Sequence, residues 1–242
     1  MNPVRKWRRI LFVGCSHGAQ LPPENEAAIL KFIRNFAPHD RVHLGDFIDL
    51  GAFRSGARDS EMTDRVQPDC EAGLSFLEKI KATHILCGNH EARVFRELNS
   101  SNAVRSFAAS QVVGAINDTA KRLKANLVPY TGVWQGLKFG NYIATHGTMY
   151  SENATRDHAE AYGNIVHAHT HRAAVAKGRR IDNPTGFCVG TLADIPCIDY
   201  ASTRRSTLSW SSGFVWGEYS DTETVLWLHE QPRGLKEWRL PV

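Results

Sequence analysis

Six short polar clusters punctuate the chain, and most follow directly on an apolar run. They are Cys15-Ser16-His17, Gly45-Asp46-Phe47-Ile48-Asp49, Gly88-Asn89-His90-Glu91, Thr145-His146-Gly147, His167-Ala168-His169-Thr170-His171 and Asn183-Pro184-Thr185-Gly186. An apolar run that stops at a polar cluster reads as a buried strand delivering side chains at its end. The first five clusters carry His, Asp and Asn, the residue types that bind divalent metals through nitrogen and oxygen. Taken in order, they read as one dinuclear metal site assembled from strand ends. In layered α/β sheets, ligands bind beyond the carboxyl ends of strands, and the clusters fall where that rule places them.

The segments between the clusters support such a sheet. Ile10–Val13 predicts a strand, Glu24–Phe36 a helix with Ile29, Phe32, Ile33 and Phe36 on one face, and Arg41–Leu44 a second strand. Asp69–Ala82 repeats the helical spacing and Thr83–Leu86 predicts a third strand, giving the alternation of an α/β fold. Glu91–Leu127 shows no strand signal and predicts helices, a helical insertion over 91–127 beside the site. Further strands are expected at Asn141–Thr145, Asn164–Val166, Ala173–Ala176, Phe187–Val189, Gly213–Tyr219 and Glu223–His229. The polar stretch Gly51–Pro68 is a long loop, and long loops are often functional. A length of 242 residues suits one domain spanning 1–242 with an ample core.

Composition narrows the partners less than the motifs do. The net charge of +4 agrees with an anionic substrate but does not single out nucleic acid. Arg5, Lys6, Arg8 and Arg9 around Trp7 read as a solvated face. Arg54, Arg58, Arg93 and Arg172 follow metal motifs closely and are candidates to grip a phosphate. The cysteines, Cys15, Cys70, Cys87, Cys188 and Cys197, are odd in number and lack CxxC spacing, which favours free thiols in a reducing, cytoplasmic compartment. No apolar stretch approaches a membrane span, and Ile10–Val13 is too short for a signal-peptide core.

The ordered set resembles the calcineurin-like metallophosphoesterase superfamily, whose pattern is DxH, GDxxD, GNH(D/E), a lone His and GHxH. Here it reads Cys15-Ser16-His17, Gly45–Asp49, Gly88–Glu91, His146 and Ala168-His169-Thr170-His171, over roughly residues 10–200. The resemblance implies a β-sheet sandwich flanked by helices and two divalent metal ions, manganese first, with zinc or iron as alternatives. It implies one metal on His17, Asp46 and His171, with position 15 as a further ligand, and the other on Asp46, Asn89, His146 and His169. A hydroxide between the metals would attack phosphorus in line, with His90 as general acid or charge stabiliser and Asp49 orienting it. The implied activity is hydrolysis of phosphate monoesters or diesters of a small molecule or nucleotide. A nuclease acting on nucleic-acid ends and a non-catalytic metal-binding scaffold are the competing readings. No membrane partner is expected, and the oligomeric state is open.

Two positions depart from the pattern. Cys15 stands where the family has Asp, and Ala168 where it has Gly. If Cys15 ligates, its softer sulfur moves that site towards zinc or iron; the competing reading is a buried inert thiol. The run also offers a second register, His167-x-His169, which spacing alone does not exclude. His39, His43, His84, His158 and His229 lack motif context and read as ordinary core or surface residues. Asn183–Gly186 and Gly190–Thr191 resemble the family's closing strand, without a catalytic residue.

Overall fold

The computed structural model describes residues 6–54, 66–131, 136–195, 207–231 and 237–242. Arg5, Arg58, Cys197 and the middle of the Gly51–Pro68 loop lie outside the described residues.

Among these residues eleven strands form two sheets. The first sheet has the order β11-β10-β1-β2-β3-β4, with β1 at Arg8–Val13, β2 at Asp40–His43, β3 at His84–Leu86, β4 at Asn126–Val128, β10 at Gly213–Tyr219 and β11 at Thr224–Glu230. The second has the order β5-β6-β7-β9-β8, with β5 at Leu137–Phe139, β6 at Tyr142–Ala144, β7 at Ile165–His167, β8 at Ala173–Lys177 and β9 at Thr185–Val189. Strands β1 to β4 run parallel, as do β6, β7 and β9. The remaining pairings are antiparallel.

The unbroken apolar run of β1 has a direct cause. Ile10 and Phe12 pack on one side, with Val42, Leu44, Phe139, Val166 and Val189, in the seam between the sheets. Leu11 and Val13 pack on the other, with Ile29, Phe32, Phe76 and Leu77, under the helices. A strand covered on both faces loses the polar–apolar alternation of a half-exposed one. Phe12 and Phe139 meet edge to face across the seam, with centroids 5.5 Å apart. Each such fully buried aromatic contributes roughly 1.5–3 kcal/mol.

Helices α1 (Pro23–Phe36), α2 (Val66–Lys79) and α4 (Ala103–Leu123) supply the apolar layer over the first sheet. A short α3 (Asn89–Glu97) leads into α4, and α5 (Ala154–Tyr162) packs on the second sheet through Ala159 and Tyr162 against Ile165. The result is the expected layered sandwich flanked by helices. α1 begins with Pro23 at its first turn, where no N–H partner is lost. It ends at Ala37 in the left-handed region, just before Pro38.

The differences from expectation are local. The Glu91–Leu127 stretch holds α3 and α4, but its end enters β4, which pairs in parallel with β3. The helices therefore form the crossover between two neighbouring strands. β4 and β5 have three residues each, too few to show a period, and α5 buries mainly small or polar residues, Ala154, Thr155, His158 and Ala159. Val66–Pro68, read as loop, form the first turn of α2, a position where proline is tolerated.

Candidate metal centre

Five parallel strands end at the same edge of the sandwich. β1 leads to Cys15 and His17, β2 to Asp46 and Asp49, and β3 to Asn89 and His90 at the start of α3; β6 leads to His146, and β7 to His169 and His171. Backbone bonds continue beyond the strands and lock these loops together: Cys15 N–H to Gly45 O at 3.0 Å, His17 N–H to Asp46 O at 3.0 Å, and Ala168 N–H to His146 O at 2.9 Å. Cys15, His17, Asp46, His169 and His171 all have positive φ, between 50° and 70°. Such conformations cost about 1–3 kcal/mol each in non-glycine residues and cluster at functional sites. Gly45 has φ 101°, and a Cβ there would lie 2.6 Å from Gly88 N and 2.7 Å from His146 Nδ1. Only glycine lets these loops approach so closely.

Three groups of donor atoms result, each with all atoms within 4.8 Å of one another: Cys15, His17, Asp46 and His171; Asp46, His146 and His169; and His17, Asp49 and His90. Asn89 joins the second group. Its Oδ1 lies 3.1 Å from His146 Nε2 and 2.8 Å from His169 Nδ1, and His146 Nε2 is 3.2 Å from Asp46 Oδ2. His146 Nδ1–H donates to Leu44 O at 2.8 Å, which leaves Nε2 as the nitrogen facing the group. In the same way His17 Nδ1–H donates to the Asp49 carboxylate at 2.9 Å and turns Nε2 towards His171.

Asp49 meets two imidazoles. Its side chain is nearer His17 (2.9 Å) than His90 (3.3 Å), and its main-chain carbonyl accepts from His90 Nδ1–H at 2.6 Å. It therefore orients two imidazoles. His90 is further tied to the centre by its own N–H, which donates to Asp46 Oδ1 at 3.0 Å.

Charge is distributed unevenly. Burial opposes ionisation of Asp46, but His146 and His90 outweigh it and hold the carboxyl well below its usual range. Burial also opposes charge on His90, yet Asp46 and then Asp49 push it up to about 9. Burial, reinforced by His146, lowers His169 to about 3; burial and His17 keep His171 well below the ordinary imidazole value. Burial and the Asp46 charge raise the Cys15 thiol well above its usual value.

Several residues that shape the site carry no ligand signature in the sequence. The buried Glu91 carboxylate accepts three backbone N–H bonds, from Asp46 at 2.9 Å, Ile48 at 3.0 Å and Gly88 at 2.7 Å. Asp69 does the same for Ala19, Asp49 and Leu50. His43, read as ordinary core, accepts from Gly45 N–H and bonds Ser16 Oγ at 3.1 Å. The GNHE pattern could have flagged Glu91; nothing local marks Asp69 or His43.

His167 faces away from the centre. It donates to Ala168 O, bonds Thr155 Oγ1 and stacks on His158 at 4.3 Å. His158 in turn accepts from Thr148 N–H at 3.1 Å and so holds the loop after His146. Ala168 lies outside the left-handed region, so its backbone does not need glycine. A Cβ at Gly14 would meet Ala168 Cβ at 2.9 Å, so the alanine is accommodated by glycine at the facing strand end. Arg172 donates to the carbonyls of Tyr150 and Ser151, and Arg93 stands near enough to His90 for its charge to disfavour the imidazolium. Cys15, Cys70, Cys87 and Cys188 are free and buried. Among the described residues no helix is long and apolar enough to cross a membrane.

The donor set fits divalent cations. His17 Nε2 and His171 Nε2 lie 3.0 Å apart, and His171 Nδ1 is buried without a partner. Two ring nitrogens on one ion, each bound at ~2.0–2.1 Å, sit ~2.9–3.4 Å apart. His169 and His171, held below the ordinary imidazole value, are neutral, as a metal requires.

Solved structures similar to this chain include an archaeal phosphodiesterase, with 13% identity over 91% of this chain and 99% of that one and a TM-score of 0.47. Another is vacuolar protein sorting 29 of Cryptosporidium parvum, with 12% identity, 95% and 94% coverage and a TM-score of 0.47. A third is Yfce, a phosphoesterase from E. coli, with 15% identity, 91% and 98% coverage and a TM-score of 0.39. No curated protein matches the chain. A family model for calcineurin-like phosphoesterases matches residues 8–185, from the first residue of β1 to the first of β9. That span takes in all five donor-bearing strand ends, and the chain belongs to the calcineurin-like phosphoesterase family.

Proposed function

We propose that the protein is a phosphoesterase that works with two divalent metal ions and hydrolyses phosphate diesters or monoesters. The observation that carries this reading is that Asp46 belongs to two separate donor groups at once. A carboxylate has two oxygens and is suited to bridge two ions. His17, Asp46 and His171 would hold one ion; Asp46, Asn89, His146 and His169 would hold the other. Manganese is the first candidate, with zinc or iron as alternatives. Two such ions, ~3.5–4 Å apart, offset charge on both the attacking and leaving oxygens of an in-line displacement.

The chain's own residues supply the rest. His90 donates through Nδ1 to Asp49 O, so Nε2 is the end that faces the centre. From there it holds or delivers a proton at the leaving oxygen. A cation beside Asp46 removes much of the attraction that keeps His90 charged, and so brings the imidazole down from about 9 towards a working range. Asp49 fixes the tautomers of His17 and His90, a role whose loss weakens metal sites. Arg93 lies three residues beyond His90 on α3, on the same helical face, and is a candidate to meet a substrate phosphate. The buried free thiols agree with a reducing, cytoplasmic setting.

The test is hydrolysis of bis(p-nitrophenyl) phosphate by manganese-loaded protein beside the monoester. Preference for the diester directs the next assay to nucleotides and nucleic-acid ends, the nuclease reading. Preference for the monoester indicates a phosphatase. Inactivity on both with manganese, zinc and iron rejects the enzyme reading in favour of a metal-binding scaffold.

A further inference from the structure

We propose that Cys15 is itself a metal ligand, and that the two ion sites are chemically unequal. The Cys15, His17, Asp46 and His171 pocket is a mixed thiolate, imidazole and carboxylate site for a thiophilic divalent ion such as zinc or ferrous iron. The pocket on the other side of Asp46 offers only nitrogen and oxygen and suits a harder ion such as manganese. This inference rests on the dinuclear reading above and deepens it.

Three observations carry it. First, Cys15 Sγ is within 4.8 Å of the donor atoms of His17, Asp46 and His171, two of which are the facing Nε2 atoms of His17 and His171, 3.0 Å apart. Second, the Cys15 backbone is held in the left-handed region, with φ 52°. Its carbonyl accepts from Thr191 Oγ1 at 2.7 Å and from Leu192 and Ala193 N–H at 3.2 and 3.3 Å, and its N–H donates to Gly45 O. A cysteine serving only as apolar filler has no need of so costly a backbone. Third, Sγ accepts the His169 backbone N–H at 3.3 Å, and a hydrogen bond donated to sulfur favours the thiolate. Cys188 shows the contrast: it bonds Thr170 Oγ1 and Ala168 O and belongs to none of the donor groups.

Binding is balanced by proton release. The thiol S–H bond breaks, sulfur forms a bond to the ion, and the proton passes to solvent.

The experiment is titration of the metal-free protein with cobalt(II), read by absorption and by ion count. Wild type should bind two ions, with a thiolate-to-cobalt charge-transfer band in the near ultraviolet tied to one of them. Zinc should remove that band and manganese should not. Cys15→Ser and Cys15→Asp should lose the band and still bind an ion in the second pocket. Two bound cobalt ions without a thiolate band, or a band that survives both substitutions, overturns the assignment while leaving the dinuclear reading intact. Failure to bind cobalt at all overturns both.

Discussion

The Asp46 carboxylate accepts the backbone N–H of His90 at 3.0 Å, so the residue shared by both donor groups also sets the start of the helix that carries the proposed acid. Asp46→Asn tests the shared role. An amide cannot offer two anionic oxygens, and loss of mere supporting groups already costs ~10–100-fold in metal affinity. Asp46→Asn should weaken both ions by more than that, measured by calorimetry. Retention of two tightly held ions would refute bridging.

His90→Ala should separate binding from chemistry. His90 lies in neither of the two donor groups that contain Asp46, so ion stoichiometry should stay unchanged. Turnover should fall by ~10²–10⁴-fold if the imidazole handles the leaving-group proton. Unaltered kcat with two ions bound would remove His90 from the mechanism.

Glu91→Gln is expected to act through the backbone. The carboxylate now accepts from Asp46, Ile48 and Gly88; an amide turns a donor towards at least one of them. A stranded buried N–H costs about 1–3 kcal/mol, so urea unfolding should show a loss of that order. An unchanged midpoint would mean that these loops hold without the clamp.

Metal-free protein should lose stability on mild acidification. Burial lowers His43 and His158 to about 3 and His167 to about 4, against an ordinary 6.5. Each stays neutral in the fold while the unfolded chain takes up a proton. Their contribution is therefore complete above about pH 6.5 and drains away as pH falls towards 3–4. Each histidine accounts for a loss of up to roughly 1.4 kcal/mol for every pH step of one within that window. Chemical unfolding in the presence of chelator from pH 7 to pH 4 checks this; a flat profile would contradict it.

The strands that feed the centre could be read from sequence because burial on both faces makes β1 a continuous apolar run that stops at Gly14. β4 and α5 could not, since one is three residues long and the other buries alanine, threonine and histidine rather than large apolar groups. The same contrast holds at the site. Asn89, His90, His169 and His171 stand in patterns visible within a few residues. The supports do not: Asp69 is 50 residues from Ala19, and His43 is 27 from Ser16. Such pairings exist only after the chain has closed on itself. Asp49 shows the limit from the other side, because no spacing reveals that its carboxylate serves His17 as well as His90, or that its carbonyl also accepts from His90.

Cys15, His17 and Asp46 follow strands of the first sheet, whereas His146, His169 and His171 follow strands of the second. Neither sheet alone can assemble either cluster. Either donor group with Asp46 is therefore complete only when both sheets are in place. If the proposed ions bind there, they would act as a rivet between the two sheets, and chelation should loosen the seam between the sheets before it melts either one.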